Sequence, residues 1–98
     1  MIIDTSAVVA IVLDESGSTA LVSAISAAPL RLIAAPTLVE ASAVLHGRKG
    51  PGGDVALDAL LQRLSIQVVD MNATAAAFAR DAFRRFGKGI GNPAVLDY

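Results

Sequence analysis

Apolar residues along the chain fall into two patterns, short continuous runs and longer stretches with helical spacing. The runs predict short strands at Met1–Asp4, Leu30–Ala34 and Ile66–Met71. The stretches between and after them carry apolar side chains at i, i+3, i+4 and i+7, the spacing of one face of an α-helix, as in the series Leu57, Leu60, Leu61 and Leu64. Strands that alternate with helices in this way predict an α/β fold with a parallel sheet.

Capping residues, prolines and glycines predict the bounds of the helices. The first two helices are expected to begin at Thr5–Ser6 and at Ser16 or Ser18, because serine and threonine are favoured N-cap residues. The later helices are predicted over Pro36 to His46, Asp54 to Leu64, Asn72 to Phe86, and from Asn92–Pro93 onward. The segments Gly47–Gly53 and Gly87–Gly91, which are rich in glycine, predict loops.

The composition narrows the fold class. A chain of 98 residues is expected to form one domain with a single core, spanning residues 1–98. It is 54% hydrophobic and 17% charged, which fits a small parallel sheet covered by helices, because such strands are buried on both faces. Apolar surface reserved for a partner also raises the apolar fraction. We therefore predict a three-layer α/β/α domain.

Several classes of protein are disfavoured. The longest uncharged stretch, Ser16 to Leu30, has 15 residues, whereas a membrane span needs roughly 20 apolar ones. No basic segment precedes Ile2–Ile3, as a secretory signal requires. The absence of cysteine excludes disulfides, thiolate metal sites and a cysteine nucleophile. The net charge of −1 does not indicate a nucleic acid or a membrane partner, and we expect a cytoplasmic protein.

Two carboxylates stand alone in apolar segments. Asp4 is the only charged residue from Met1 to Leu13, and Glu40 is the only one from Leu32 to Leu45. The carboxyl ends of parallel strands form the ligand crevice of an open sheet, and both acids follow a predicted strand. Carboxylates gathered there repel each other unless they are protonated or bridged by a cation. Oxygen ligands suit Mg²⁺ or Mn²⁺, so we expect a metal site.

Helix capping offers another explanation for each acid. Thr37 and Glu40 match the capping box S/T-x-x-E, although Pro36 as the first helical residue places Glu40 too deep for that role. Asp4 can itself be the N-cap of the helix that follows. Neither cap excludes a metal role.

Three segments together resemble the motifs of PIN-domain proteins, in particular the VapC ribonuclease toxins of VapBC toxin–antitoxin systems. Ile2–Ala7, with the sequence IIDTSA, resembles their opening signature, and Leu38–Glu40 resembles their second acidic motif. Gly87–Gly89 with Asn92–Leu96 resembles the loop and helix start that lead into their third. The resemblance runs from Met1 to Tyr98 with consistent spacing.

The resemblance implies a Mg²⁺-dependent endoribonuclease that cleaves RNA phosphodiesters, with Mn²⁺ as an alternative ion. Asp4 and Glu40 are then the catalytic, metal-binding residues, and Thr5 or Ser6 supports the first ligand. The resemblance also implies a VapB-type antitoxin that holds the enzyme inactive, and a homodimer.

The sequence departs from the family at its end. Members that resemble it continue with a Gly-Asp pair just after the position of Tyr98, and later add a further acidic motif and a final strand. Asp97 lies where the family more often has asparagine, so no ligand role is transferred to it. We therefore expect a chain truncated at the C-terminus, with its last helix and strand incomplete. An inactive fragment that serves only in dimerisation or antitoxin binding is the alternative.

Basic residues crowd the last third of the chain. Arg84, Arg85 and Lys88 are candidate contacts for RNA phosphates, which attract guanidinium groups. The alternative is a solvated helix face whose cations lie favourably near the helix C-terminus. We favour the solvated face, because such placement is common in ordinary helices.

His46 is the only histidine. One histidine cannot make a metal cluster, and at the end of an apolar helix its imidazole is well placed relative to the helix dipole. We expect no catalytic role, because the sequence shows no paired carboxylate or nucleophile nearby.

Overall fold

Strands and helices alternate along the chain in the order that the apolar pattern predicts. The computed structural model describes residues 1–82, 84 and 95–96. Its elements are β1 (Ile2–Ile3), α1 (Thr5–Val12), α2 (Ser18–Ala27), β2 (Leu32–Ala34), α3 (Ala35–Lys49), α4 (Pro51–Arg63), β3 (Gln67–Val69), α5 (Ala73–Ala82) and β4 (Val95–Leu96). The predicted α/β class is confirmed. Among the described residues, no helix is long and apolar enough to cross a membrane.

The sheet has the strand order β3-β2-β1-β4. β1 and β2 are parallel, with Ile2 opposite Leu32, and β2 and β3 are also parallel, with Ile33 opposite Val68. These three strands are the small parallel sheet that the sequence predicts. Their adjacency brings the carboxyl ends of β1 and β2 to the same edge of the sheet.

The fourth strand corrects a prediction. Val95 and Leu96 were expected in a helix opened by Asn92–Pro93, but they form β4, which pairs antiparallel with β1. Without β4, this edge of β1 would carry unpaired N–H and C=O groups, which another strand can satisfy. The β-branched Val95 suits a strand. Asn92–Pro93 and the predicted loop Gly87–Gly91 lie outside the described residues.

The loop predicted at Gly47–Gly53 is also wrong. α3 continues to Lys49, α4 begins at Pro51, and Gly50 alone joins them. Gly50 has φ +64° and ψ −151°, a conformation that is essentially restricted to glycine, so one residue suffices to reverse the chain. Pro51 is tolerated because the first turn of a helix has no use for its missing N–H.

The two helices of this hairpin pack closely where Gly53 meets Leu45. Gly53 is buried, and a Cβ atom added to it would lie 2.6 Å from the Leu45 carbonyl oxygen. The absence of a side chain at Gly53 therefore allows α3 to approach α4 closely. The chain does not turn at this residue. The sequence predicts that α4 begins at Asp54, but the helix begins at Pro51 and Asp54 lies within its first turn.

One core joins the sheet to the first four helices. Its largest fully buried side chains come from β1, α1, α2, β2, α3 and α4: Ile3, Val8, Ile25, Ile33, Leu45 and Leu57. The helix predicted from Asn72 is present as α5, and the Asn72 carbonyl accepts the Ala76 N–H at 2.9 Å. Its predicted end at Phe86 lies outside the described residues.

Arg31 forms hydrogen bonds with the C-terminal ends of two helices, a role that the sequence did not indicate. Its guanidinium donates to the carbonyl oxygens of Ala28 (3.0 Å), Leu64 (2.7 Å) and Ser26 (2.6 Å). These oxygens lie at the C-terminal ends of α2 and α4, where the helix dipole favours a cation. Arg31 immediately precedes β2, so it ties both helices to the sheet.

Candidate metal site at the carboxyl edge of the sheet

Two helices begin side by side where β1 and β2 end. Asp4 follows β1 directly and precedes α1, while α3 starts at the residue after β2. The hydroxyl of Thr5, in the first turn of α1, donates to the carbonyl oxygen of Thr37, in the first turn of α3, at 3.5 Å. This contact joins the two helix starts across the carboxyl edge, where a parallel sheet places its ligands.

Asp4 is the N-cap of α1. Its backbone is extended, with φ −92° and ψ 161°, and its Oδ1 accepts the Thr5 backbone N–H at 2.7 Å. The expectation that Thr5–Ser6 caps this helix is therefore wrong, because the carboxylate of the preceding residue holds that position. The capping alternative for Asp4 is confirmed. A carboxylate has about four acceptor sites, so the exposed Asp4 side chain keeps free lone pairs for a cation.

Glu40 is not part of a helix cap. The N-cap of α3 is Ala34, which makes no side-chain capping bond, and proline occupies the first turn. Counted from Ala35 as the first residue of the helix, Thr37 is third and Glu40 sixth. The capping-box explanation is wrong, since a box needs Thr37 at the N-cap and Glu40 at the third position. Glu40 is exposed to solvent.

Helix geometry directs Glu40 toward the start of α1. Thr37 and Glu40 are three residues apart, so they are neighbours on one face of α3. Side chains on a helix lean toward its N-terminus, so Glu40 leans toward the turn that contains Thr37. The carbonyl oxygen of Thr37 accepts the Thr5 hydroxyl. Asp4 precedes Thr5, so the two carboxylates lie on the chain segments that this contact joins.

The donor set suits a hydrated magnesium ion. Mg²⁺ in proteins is commonly held by one or two carboxylates and keeps several waters, which leaves room for a substrate phosphate. Asp4 and Glu40 are both exposed, and no lysine or arginine pairs with them in the part of the chain that the structure describes. Nor does any group of three or more acidic or histidine side chains gather there. The residues present fit an open site rather than a closed protein cage.

The surroundings of His46 differ from the expectation. Ser42, Asp54 and Asp58 line the same groove as His46, between α3 and α4, although the sequence shows no carboxylate or nucleophile close to it. The Ser42 hydroxyl donates to Asp54 Oδ1, so it is not aimed at the imidazole as a nucleophile–base pair requires. The groove was missed because the predicted loop Gly47–Gly53 separated the two helices.

Of the candidate RNA-binding residues, only Arg84 is described, and it is exposed. Arg85, Lys88 and Asp97 lie outside the described residues. The basic surface stays a prediction.

Comparison with known proteins decides the family. A PIN domain is matched over residues 1–97. The chain belongs to the PIN-domain family. Its relatives include Ribonuclease VapC42 of Mycobacterium tuberculosis, 41% identical over 97 residues, which are 99% of this chain and 74% of the relative. Ribonuclease VapC28 of the same organism is 36% identical over 98 residues, with 100% and 74% coverage. Ribonuclease VapC of Mycolicibacterium smegmatis is 40% identical over 89 residues, with 91% and 69% coverage.

The resemblance inferred from the motifs is thus confirmed for the PIN domain and its VapC relatives. The match includes Asp4 and Glu40 and all the elements from β1 to β4.

Proposed function

We propose that this PIN-domain chain is a VapC-type endoribonuclease toxin that cleaves RNA phosphodiesters with a Mg²⁺ ion held by Asp4 and Glu40. The observation that carries the proposal is the contact between the first turns of α1 and α3, made by Thr5 and Thr37. It brings the helices that bear the two carboxylates together at the carboxyl edge of the sheet. The ribonuclease names of the relatives support RNA as the substrate.

Each residue of the crevice has a defined task. Asp4 is held in place by the Thr5 N–H, and Glu40 stands on a helix packed into the core through Ala41 and Leu45. Thr5 supports the site by fixing the two helix starts, and Ser6 lies exposed beside it. When bound, Mg²⁺ would activate a water as nucleophile and offset the charge that develops on the phosphate; Mn²⁺ suits the same oxygen ligands.

Electrostatics accounts for the dependence on a cation. Two carboxylates in one crevice repel each other and also repel an RNA phosphate. The acids therefore bind substrate only in company with a cation that links them to the phosphate oxygens. Activity is expected to vanish when divalent ions are chelated and to return when Mg²⁺ is added.

The remaining functional assignments follow the family. Arg84, Arg85 and Lys88 are proposed to contact RNA phosphates. A VapB-type antitoxin is proposed to hold the enzyme inactive, and a homodimer is proposed as the assembled state in the cytoplasm. The relatives' VapC names and the apolar composition of 54% support a protein that buries surface against partners.

The test is cleavage of a labelled single-stranded RNA with Mg²⁺ and with a chelator. Asp4→Asn is the informative variant, because asparagine caps a helix as well as aspartate does but lacks the negative charge. Asp4→Asn and Glu40→Gln are each expected to lower the cleavage rate by about 100-fold or more. Glu15→Gln removes an exposed acid outside the crevice and is expected to leave the rate unchanged. Equal rates for wild type and Asp4→Asn would falsify the proposal.

A second candidate is a binding module without turnover. It is favoured by the presence of only two carboxylates in the crevice, since no group of three acidic or histidine side chains gathers among the described residues. Binding of the RNA or of a VapB-type protein without Mg²⁺-dependent cleavage would identify this alternative.

A further inference from the structure

A groove of about 700 Å³ lies between α3 and α4 and reaches the face of α3 that carries Glu40. Ala43 lines the groove and is three residues from Glu40, a spacing that makes the two residues neighbours on one helix face. Val39, which immediately precedes Glu40, also lines it. The groove is therefore continuous with the surroundings of the proposed metal ligand.

The contact between Ser42 and Asp54 shows which parts of α3 and α4 lie opposite each other. The Ser42 hydroxyl donates to Asp54 Oδ1, and the chain reverses between the two helices. Residues that precede Ser42 on α3 therefore lie opposite residues that follow Asp54 on α4. Asp58 is about one turn beyond Asp54, and Val39 is about one turn before Ser42. These two residues line the end of the groove that is nearer to Glu40.

Asp58 presents an open carboxylate at this end of the groove. Its side chain is exposed, and it forms neither a hydrogen bond nor an ion pair with any residue that the structure describes. Asp54 differs, because one of its oxygens already accepts the Ser42 hydroxyl. Both oxygens of Asp58 are available as acceptors, so this side chain suits a group with two adjacent donors.

Apolar surface lies next to the open carboxylate. Leu57 forms a buried floor at 2% exposure, whereas Val39 is 70% exposed. A valine left this open beside a concave surface is an unfilled apolar contact. Flat nucleobases pack on such surface through their faces and keep their edges free for hydrogen bonds. The combination of an apolar wall and a two-oxygen acceptor therefore suits a base with donors on its edge.

Guanine is the RNA base whose edge matches a carboxylate. Its Watson–Crick edge presents two adjacent donors, N1–H and the N2 amino group, whereas adenine and cytosine present one amino group and uracil one imide N–H. Two parallel N–H donors can bind both oxygens of one carboxylate. A base is also uncharged, so Asp58 does not repel it as it repels a phosphate.

We propose that the end of the groove at Val39 and Asp58 binds a guanine base of the RNA, next to the phosphate that is cleaved at Asp4 and Glu40. The base packs on Val39, and Asp58 accepts its N1–H and N2 amino group. The axes of packed helices are about 10 Å apart, so a base held by α4 keeps its own backbone close to Glu40. This inference rests on the proposed ribonuclease function and adds a sequence preference to it.

The main test compares short oligouridine RNAs that carry one guanosine, inosine or adenosine at the same position. Because single strands expose their Watson–Crick edges, we expect kcat/KM for the guanosine RNA to exceed that for the adenosine RNA by about tenfold. Inosine lacks the N2 amino group and keeps N1–H, so its RNA is expected to fall between the two. In Asp58→Asn the ratio of guanosine to adenosine is expected to drop below about twofold.

Two control variants separate the base site from general effects. Glu15→Gln removes an exposed acid elsewhere and is expected to keep the guanosine preference. Val39→Ser is expected to lower kcat/KM about threefold on the guanosine and adenosine RNAs alike, because an apolar contact does not distinguish the two bases. Val55→Ser changes an equally exposed valine outside the groove and is expected to have no effect. Circular dichroism checks that each variant is folded.

Binding of free nucleosides is measured separately, because it does not require cleavage. In a chelating buffer, guanosine at about 1 mM is expected to shift the amide signals of α3 and α4 in the ¹⁵N-labelled protein more than adenosine does. Asp58→Asn is expected to remove this difference. If the wild-type chain cleaves none of the RNAs, the proposed ribonuclease fails, and the nucleoside shifts still decide whether the base site exists.

Several outcomes overturn the base site. Equal Mg²⁺-dependent cleavage of the guanosine, inosine and adenosine RNAs excludes the preference but leaves the proposed ribonuclease intact. A guanosine preference that persists in Asp58→Asn places the base elsewhere. Groove signals that shift with protein concentration alone, and not with guanosine, identify a second copy of the chain as the occupant.

Discussion

The Thr5 hydroxyl donates to the Thr37 carbonyl oxygen across 3.5 Å, and this contact links the helix that Asp4 caps to the helix that carries Glu40. Neither Thr5 nor Thr37 is a metal ligand in the proposed site. The contact instead lies between the two acid-bearing helix starts, and it is made between residues 32 positions apart in sequence.

Removing this hydroxyl is expected to impair the proposed metal site more than the fold. Thr5→Val keeps the shape of the side chain but loses the donor, which costs about 0.5–1.5 kcal/mol of stability. The Mg²⁺ concentration needed for half-maximal cleavage is expected to rise several-fold. Thr5→Ser retains the hydroxyl and serves as the control. A Mg²⁺ dependence that is the same in Thr5→Val and wild type contradicts this role.

Gly53→Ala is expected to destabilise the α3–α4 hairpin. The new methyl group meets the Leu45 backbone 2.6 Å away, so the helices must separate, at a cost of about 1–3 kcal/mol. The measurement is the free energy of unfolding in urea.

Gly47→Ala is the matched control for that substitution. Gly47 is also helical, but no atom lies within 4 Å of its added Cβ. Alanine is a better helix former, so this variant is expected to gain about 0.5–1 kcal/mol. If both substitutions changed the free energy of unfolding in the same direction, close contact with Leu45 would not be the cause of the effect at Gly53.

Arg31→Met is expected to lower the free energy of unfolding by about 2–4 kcal/mol, because three carbonyl oxygens at helix ends lose a charged donor. Arg31→Lys restores the charge but not the fork of donors, and is expected to recover less than half of the loss. Thermal and urea denaturation give both values. Full recovery by lysine would mean that charge alone matters.

Ser65→Gly is expected to stabilise the protein. Ser65 has φ +52° at the end of α4, a left-handed conformation that costs a side chain about 1 kcal/mol relative to glycine. Asp14 has the same φ, but its carboxylate accepts the Ser18 hydroxyl at 3.5 Å and aspartate tolerates this region. Asp14→Gly is therefore expected to gain less. A larger melting-temperature increase for Asp14→Gly than for Ser65→Gly contradicts the argument.

The sequence predicted the elements whose signals are local. The runs that become β1, β2 and β3 are apolar and lie between helical patterns, and Asp4 and Glu40 stand out because their surroundings carry no other charge. The family motifs are also contiguous residues, so they can be recognised without a structure.

Features that depend on tertiary contacts were missed. A glycine in a sequence suggests a turn, yet Gly50 reverses the chain while Gly53 admits the Leu45 backbone. Only the packing of α3 on α4 distinguishes them. The pairing of Val95 with Ile3 and the contact of Thr5 with Thr37 likewise join distant parts of the chain, and periodicity contains no information about such pairs.

The cap formed by Asp4 has an evolutionary consequence. Most substitutions at this position remove the negative charge and the helix cap together, so they would be eliminated as folding defects as well as for lost chemistry. Asparagine removes the charge but still satisfies the Thr5 N–H. A homologue that loses the reaction but keeps the fold can therefore arise by the single substitution Asp4→Asn. Such an inactive homologue would be recognised by asparagine at this position.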